Sequence, residues 1–281
     1  MISLDTLNQS TQEAFAAALD GIFERAPWIS AQTAPRRPFQ TLAALHDALM
    51  ATLHAAPDAD ILAFLDAHPD LSPDRLPATL TPASQSEQQN LAMRVAQGAA
   101  ALPALNHDYR ARFGHPFIIC VARHTPENIL RTLQSRLPHD PATERQLALA
   151  EIHHITLLRL LARIDGPGAP PTAGHLTTHV LDTQTGRPAA NLQVTLLQES
   201  RPLASAQTNP DGRLATDLHP PGPLRQGHYE LRFHVAPYFA ARSQPTLYDT
   251  IPIRFLITHP EAPHHIPLLL APFAYSTYRG S

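Results

Sequence analysis

No lysine occurs anywhere in the 281 residues, so all 21 basic side chains are arginine. Without an ε-amine the chain has no Schiff-base lysine, no pyridoxal-phosphate lysine and no Walker A lysine, and several large enzyme classes are excluded at once. Cysteine is nearly as scarce. The single one, Cys120, sits in the apolar run FIICV, so no intrachain disulfide can form and the thiol reads as a small buried hydrophobe in a reducing compartment. Charged residues make up only 16% of the chain and sum to −3, which leaves no basic footprint for nucleic acid and no polybasic patch for a membrane. No apolar run approaches the ~18 residues of a spanning helix. The opening MISLDTLNQS has neither the positive region nor the apolar segment of a signal peptide, so a soluble, cytoplasmic protein is expected. The partner is then a small neutral or anionic ligand, or another protein.

What is present divides into two grammars. Hydrophobic residues reach 43%, enough to fill real cores. Up to about residue 164 the apolar positions recur at helical spacing: Leu42, Leu45, Leu49 and Leu53 form one stripe, and Ile129, Leu130, Leu133 and Leu137 another. Ser10 with Glu13 predicts a capping box, and Asp140 followed by Pro141 predicts a cap and then proline at the first helical position. DGPGAPPTAG, residues 165–174, supports neither helix nor strand and reads as a linker with no buried contacts.

Beyond it the period changes to two. HLTTHVLDT, LQVTLLQ, HYELRFHV and IPIRFLI are short segments rich in β-branched and aromatic residues, separated by the turn signals TGRP and NPDG. The expectation is a multi-domain chain: an all-α helical domain over 1–164, a linker over 165–174 and an all-β sandwich over 175–281. The closing AYSTYRGS spends two tyrosines and an arginine where a polar tail would serve, so it is expected to lie against something.

In the β half, HLTTHVLDTQTGRPA, TNPDGR and HHIPLLLAPFAYSTYRGS, in that order, resemble the 5-hydroxyisourate hydrolases, transthyretin-like enzymes of purine breakdown. The resemblance runs from about 175 to 281, and the terminal YRGS is what separates the hydrolase from the hormone carrier of the same fold. It implies that His179, Arg213, His265 and Ser281 are catalytic and that Tyr278 binds substrate at the floor or rim of the pocket. It also implies a homotetramer built through the β domain, with the tail folded into a site near a subunit interface. The chemistry asks for the same residue types, because opening a cyclic amide with water needs a base, an acid for the leaving nitrogen and a cation for the oxyanion. Taken singly these residues are weak signals in a chain with 17 histidines. His179 reads as an ordinary strand histidine and Arg213 as a solvated side chain after a turn. His175 and His179 share a strand face but lack a third ligand, so no metal is expected.

In the helical half, AHPDLS, SQSEQQNL, LNHDYRARFGHPFIICV and TPENIL resemble the 2-oxo-4-hydroxy-4-carboxy-5-ureidoimidazoline (OHCU) decarboxylases over roughly 4 to 163. The resemblance implies an all-helical enzyme with His68 as general acid/base, Glu87 as its catalytic partner, and Ser84, Gln88 and Ile119 binding the substrate. No cofactor is expected, since the electrons left by CO2 pass into an adjacent C=N bond. Alone, Ser84-x-x-Glu87 is a capping box and His68 before Pro69 is a helix-ending residue. Two consecutive reactions in one chain make each assignment more credible. The implied function is bifunctional: hydrolysis of 5-hydroxyisourate to OHCU by the C-terminal domain and decarboxylation to (S)-allantoin by the N-terminal domain, in urate degradation. The alternatives are a transthyretin-like ligand-binding protein joined to a helical interaction domain, against which YRGS argues, and a chain with only one active half.

Overall fold

Ser10, the predicted N-cap, closes one helix instead of opening the next. In the computed structural model, which describes residues 1–71, 102–214 and 222–280, strand β1 (Ile2–Ser3) leads into α1 (Leu4–Gln9), and the Ser10 hydroxyl donates to the Leu7 carbonyl at its end. Thr11 therefore caps α2 (Gln12–Ala18), its oxygen accepting from the Ala14 amide. Glu13 still serves this cap. Its own backbone amide and the Thr11 side chain hold its carboxyl below the usual range.

Helices α3 (Pro27–Thr33), α4 (Leu42–His54) and α5 (Asp58–Asp66) follow. The Leu42, Leu45, Leu49, Leu53 stripe is wholly buried on α4, where it meets Leu7, Phe15, Ile22 and Ile29 in the main helical core. Helix α6 (Leu102–Phe113), α7 (Pro126–Arg136) and the long α8 (Pro141–Leu161) complete this half. Asp140 caps α8 as predicted, accepting from the amides of Ala142 and Thr143, with Pro141 at the first helical position. Three helices share one buried carboxylate, for Tyr109 of α6 and Arg136 of α7 both donate to Glu144 of α8. Strand β2 (Ile164–Asp165) returns parallel to β1.

This unit buries histidines in their neutral form. His46 of α4 is almost fully enclosed, 2.9 Å from the Thr156 hydroxyl and edge-on to the His153 ring. Burial first, then His153 and His154, push its pKa from 6.5 down to about 3; burial likewise pushes His68 down to about 4. Both folded values lie below the unfolded one, so the stability that the neutral rings contribute is complete above about 6.5 and is lost as pH falls toward the folded values. The slope is about 1.4 kcal/mol per pH unit for each ring. The helical unit is therefore expected to be about 4 kcal/mol less stable to urea at pH 5 than at pH 7. His46→Gln should remove about half of that loss, read by far-ultraviolet circular dichroism. An unchanged pH dependence in the variant would show that His46 is not the ring responsible.

The second half alternates as its sequence predicts, with irregularities that have local causes. HLTTHVLDT breaks into β3 (Leu176–Thr177) and β4 (Val180–Asp182), because the buried Thr178 hydroxyl donates to the Ile266 carbonyl between them. After β5 (Arg187–Pro188) come β6 (Gln193–Gln198), β7 (Arg201–Gln207) and β8 (Gly227–His234). The HYELRFHV strand stops one residue short. Val235 starts helix α9 (Val235–Ala240), and its amide turns to the Asp249 carbonyl. Strands β9 (Thr250–Ile257), β10 (His264–His265), β11 (Leu268–Ala271) and β12 (Ala274–Thr277) finish the unit.

One sheet has the order β12-β11-β4-β5 and the other β7-β6-β8-β9, while β10 pairs with β3 in parallel. Val180, Val194, Leu196, Leu231, Phe233, Ile251, Leu268 and Leu270, drawn from both sheets, form the core. Neither β7 nor α9 is announced by the sequence: RPLASAQ carries small residues on a half-exposed edge, and VAPYFA is too short to show a helical period.

The described residues fall into two compact units, Met1–Ala122 with Pro126–Pro170 and Arg123–Thr125 with Pro171–Ser281. The stretch 165–174 is not the contact-free linker that its composition suggests. The carbonyls of Pro167 and Gly168 accept from the Leu42 and Ala43 amides, satisfying two of the orphan donors at the start of α4. At the other end the Gly174 amide donates to the Pro260 carbonyl at 2.8 Å. Asp165 still belongs to strand β2, opposite Ser3. Beyond it proline and glycine exclude helix and strand, but they leave backbone carbonyls and amides free to bond outward, and both ends of the stretch use them.

Candidate functional sites

In the β unit, the NPDG sequence makes a turn that carries Arg213 back to the sheet. The Asn209 side-chain oxygen accepts from the Asp211 and Arg213 amides, each at 3.0 Å, and the Gly212 amide donates to the Asn209 carbonyl. Arg213 then pairs in an isolated antiparallel bridge with His179, which lies just before β4. Gly212 makes this approach possible. It has φ +70°, and a Cβ there would stand 2.3 Å from the Val180 carbonyl oxygen and 3.2 Å from the His179 ring.

His265 enters from β10, whose register sets it opposite Thr177. Burial, then the Arg213 guanidinium, then His179 hold its pKa below the ordinary value, so Arg213 and His179 lie within electrostatic reach of the ring and the imidazole is neutral at physiological pH. His179 Nε2 is enclosed and has no hydrogen-bond partner among the described residues. An orphaned buried nitrogen beside a neutral imidazole and a guanidinium is an arrangement that a ligand completes. The fold thus brings together His179, Arg213 and His265, three residues that the sequence singles out.

The tail is tied down. Strand β12 pairs antiparallel with β11, and beyond it the Gly280 amide bonds the His265 carbonyl. Tyr278 stands 57% exposed. Ser281 lies outside the described residues.

In the helical unit, α5 ends at Asp66 with Ala67 as its C-cap, because the proline at position 69 disfavours helical backbone in the residue before it. That stop leaves His68 in the turn, 8% exposed and edge-on to the Phe64 ring at 4.8 Å. Nδ1 lies 2.9 Å from the Phe64 carbonyl oxygen. A carbonyl only accepts, so Nδ1 carries the proton and Nε2 presents a lone pair. After burial, the field of Glu24 raises the ring's pKa and that of Arg159 lowers it. These two residues are themselves a buried ion pair at 3.3 Å, with the guanidinium also donating to the Ile22 carbonyl.

Neither Glu24 nor Arg159 is among the sequence candidates. A signal exists, for Arg159 interrupts the apolar run ITLLRLL and a charge inside such a run needs a partner, but the partner is 135 residues away. Ile119 is buried in a separate cluster with Leu71 and Tyr109. Its segment is held from both sides: Arg136 donates to the Ile118 carbonyl at 3.0 Å, and the Cys120 amide donates to Glu151 at 2.8 Å. Ser84, Glu87 and Gln88 lie outside the described residues. Among the described residues no group of three or more His, Cys, Asp or Glu side chains is arranged to hold a metal, and no single helix is long and apolar enough to cross a membrane.

Comparison with known proteins places the two halves in two families. Residues 8–161 match the family model described as OHCU decarboxylase, and residues 176–280 match the HIUase/Transthyretin family. The β half is 45% identical over 118 residues to a 5-hydroxyisourate hydrolase of Deinococcus radiodurans, an alignment covering 39% of this chain and 99% of that protein. The helical half is 32% identical over 164 residues to a 2-oxo-4-hydroxy-4-carboxy-5-ureidoimidazoline decarboxylase of Haloferax volcanii, covering 58% of this chain and 96% of that one. The crystal structure of an (S)-allantoin synthase matches with a TM-score of 0.58 and 32% identity, covering 100% of both chains.

Proposed function

Since the chain belongs to the OHCU decarboxylase family through its helical half and to the HIUase/Transthyretin family through its β half, we propose that it converts 5-hydroxyisourate to (S)-allantoin in two steps of urate degradation. The β unit hydrolyses 5-hydroxyisourate to OHCU, and the helical unit decarboxylates OHCU. The observation that carries the hydrolytic half is the convergence of His179, Arg213 and His265 from three separate segments.

Hydrolysis adds the oxygen of water to a ring carbonyl carbon, breaks the bond to the ring nitrogen and returns a proton to that nitrogen. His265, held neutral, takes the proton from water; Arg213 neutralises the oxyanion; His179 hands a proton to the departing nitrogen. In the helical unit the substrate carboxylate leaves as CO2, its electron pair passes into the adjacent C=N, and the ring carbon is then protonated on one face. A carboxylate beside His68 favours the imidazolium, so the ring that is neutral in the free protein gains a proton when substrate binds and can deliver it. Glu87 is its partner, and Ser84, Gln88 and Ile119 hold the substrate. Neither step calls for a metal or an organic cofactor.

The assembly is a homotetramer built through the β unit, and the protein is cytoplasmic. The first is supported by edge strand β12, whose four residues are all exposed beside exposed Phe273. The second is supported by the single, buried cysteine. Joining both units in one chain keeps the unstable intermediate near its consumer by proximity alone.

The test supplies freshly made 5-hydroxyisourate and follows ultraviolet absorbance together with circular dichroism. Loss of substrate absorbance well above the spontaneous rate, followed by the optical signal of one allantoin enantiomer, is expected. Binding without turnover would make the β unit a carrier, and racemic product would remove the helical unit from the pathway.

A further inference from the structure

On the reading that His265 serves hydrolysis, we propose that Thr177 and Gly280 are positioning residues that fix the His265 imidazole in one tautomer and one orientation, with Nδ1 carrying the proton and Nε2 open as the proton acceptor. The parallel register of β3 and β10 places Thr177 directly beside His265. The threonine Oγ1 is 2.8 Å from His265 Nδ1 and 3.5 Å from the His264 carbonyl oxygen. A carbonyl oxygen only accepts, so the threonine spends its one proton there and its lone pair receives Nδ1–H. The relay His265 Nδ1–H to Thr177 Oγ1–H to His264 O runs in one direction. It leaves Nε2 without a hydrogen, as a base requires.

Gly280 acts on the opposite edge of the ring. Its amide donates to the His265 carbonyl at 2.9 Å, and a Cβ at this position would stand 2.3 Å from ring atom Cδ2 and 3.0 Å from Cγ. The glycine backbone is thus the wall against which the ring rests, and any side chain at 280 would push the imidazole away. Nδ1 and Cδ2 flank the same Cγ on opposite sides. A half-turn of the ring about its Cβ–Cγ bond would set a carbon against the threonine oxygen and lose the bond. Thr177 selects the face, and Gly280 supplies the room.

The experiment uses the full-length protein with ¹⁵N-labelled histidine. Thr177→Val should lower kcat for hydrolysis roughly five- to tenfold, the cost of one neutral hydrogen bond, with KM nearly unchanged. The ring-nitrogen resonances of His265 should show the Nδ1–H population partly exchanged for Nε2–H. Thr177→Ser, which keeps the hydroxyl, should restore both. Gly280→Ala should also lower kcat while Nδ1 stays protonated.

Near-native kcat and tautomer in Thr177→Val would overturn the proposal. So would a variant that loses activity without a tautomer change and is not rescued by serine, since that is a packing defect. His265→Ala separates the two levels: if it hydrolyses at the native rate, the site assignment itself fails and positioning falls with it. If it is inactive while Thr177→Val is native, only the positioning role is lost.

Discussion

His68→Ala is expected to reduce decarboxylation of OHCU to near the spontaneous rate, a fall of roughly 10²–10⁴-fold, while hydrolysis of 5-hydroxyisourate stays intact. The ring is enclosed, its Nδ1 is committed to the Phe64 carbonyl, and Nε2 is its one remaining functional atom. The loss should appear in kcat, because the proton transfer belongs to the transition state. Burial that pushes the ring to about 4 adds a second signature. kcat/KM reports the free enzyme, where the ring is neutral and must still take up the proton it delivers, so kcat/KM for decarboxylation should rise as pH falls from about 8 to about 6 and show no plateau near about 6.5. Unaltered production of one allantoin enantiomer by the variant would return His68 to the role of a buried residue that ends a helix. Comparing His68→Ala with His68→Gln, and checking both by near-ultraviolet circular dichroism, distinguishes lost chemistry from a damaged core.

The second large effect is expected from the tail. Deleting residues 278–281 removes Gly280 from the His265 ring together with Tyr278 and Arg279, yet leaves the β11–β12 ladder, Leu268↔Thr277 to Ala271↔Ala274, complete. Hydrolysis should drop by about 10²-fold or more. The sandwich should remain folded, since its core comes from strands other than β12. The helical unit should decarboxylate at its native rate. The measurement supplies each substrate separately to the truncated protein. Full hydrolase activity would make the tail an ornament of the sheet edge, and loss of both activities would make it structural.

Local pattern explains how much of this was legible in advance. The Leu42–Leu53 stripe, the Asp140 cap and the alternating strands are short-range properties, because a helix or strand face is decided by residues within a few positions of one another. The same holds for TNPDGR, whose asparagine, glycine and arginine build their turn among themselves. The errors arose where two local partners competed. Ser10 could cap either neighbouring helix and took the carbonyl behind it; residues 165–174 could stay solvated and instead bonded outward at both ends.

The sequence by itself determined the two grammars of the chain, the absence of lysine chemistry and the identity of the histidines and the arginine that meet in the β unit. Only the tertiary structure decided what surrounds them. The Glu24–Arg159 pair beside His68 joins α8 to a segment 135 residues earlier, and the neutrality of His46 comes from enclosure by α8. Thr177 and Gly280 reach His265 from the two ends of the β unit. Each of these depends on burial and on contacts across long separations, and neither quantity exists until the chain has closed on itself.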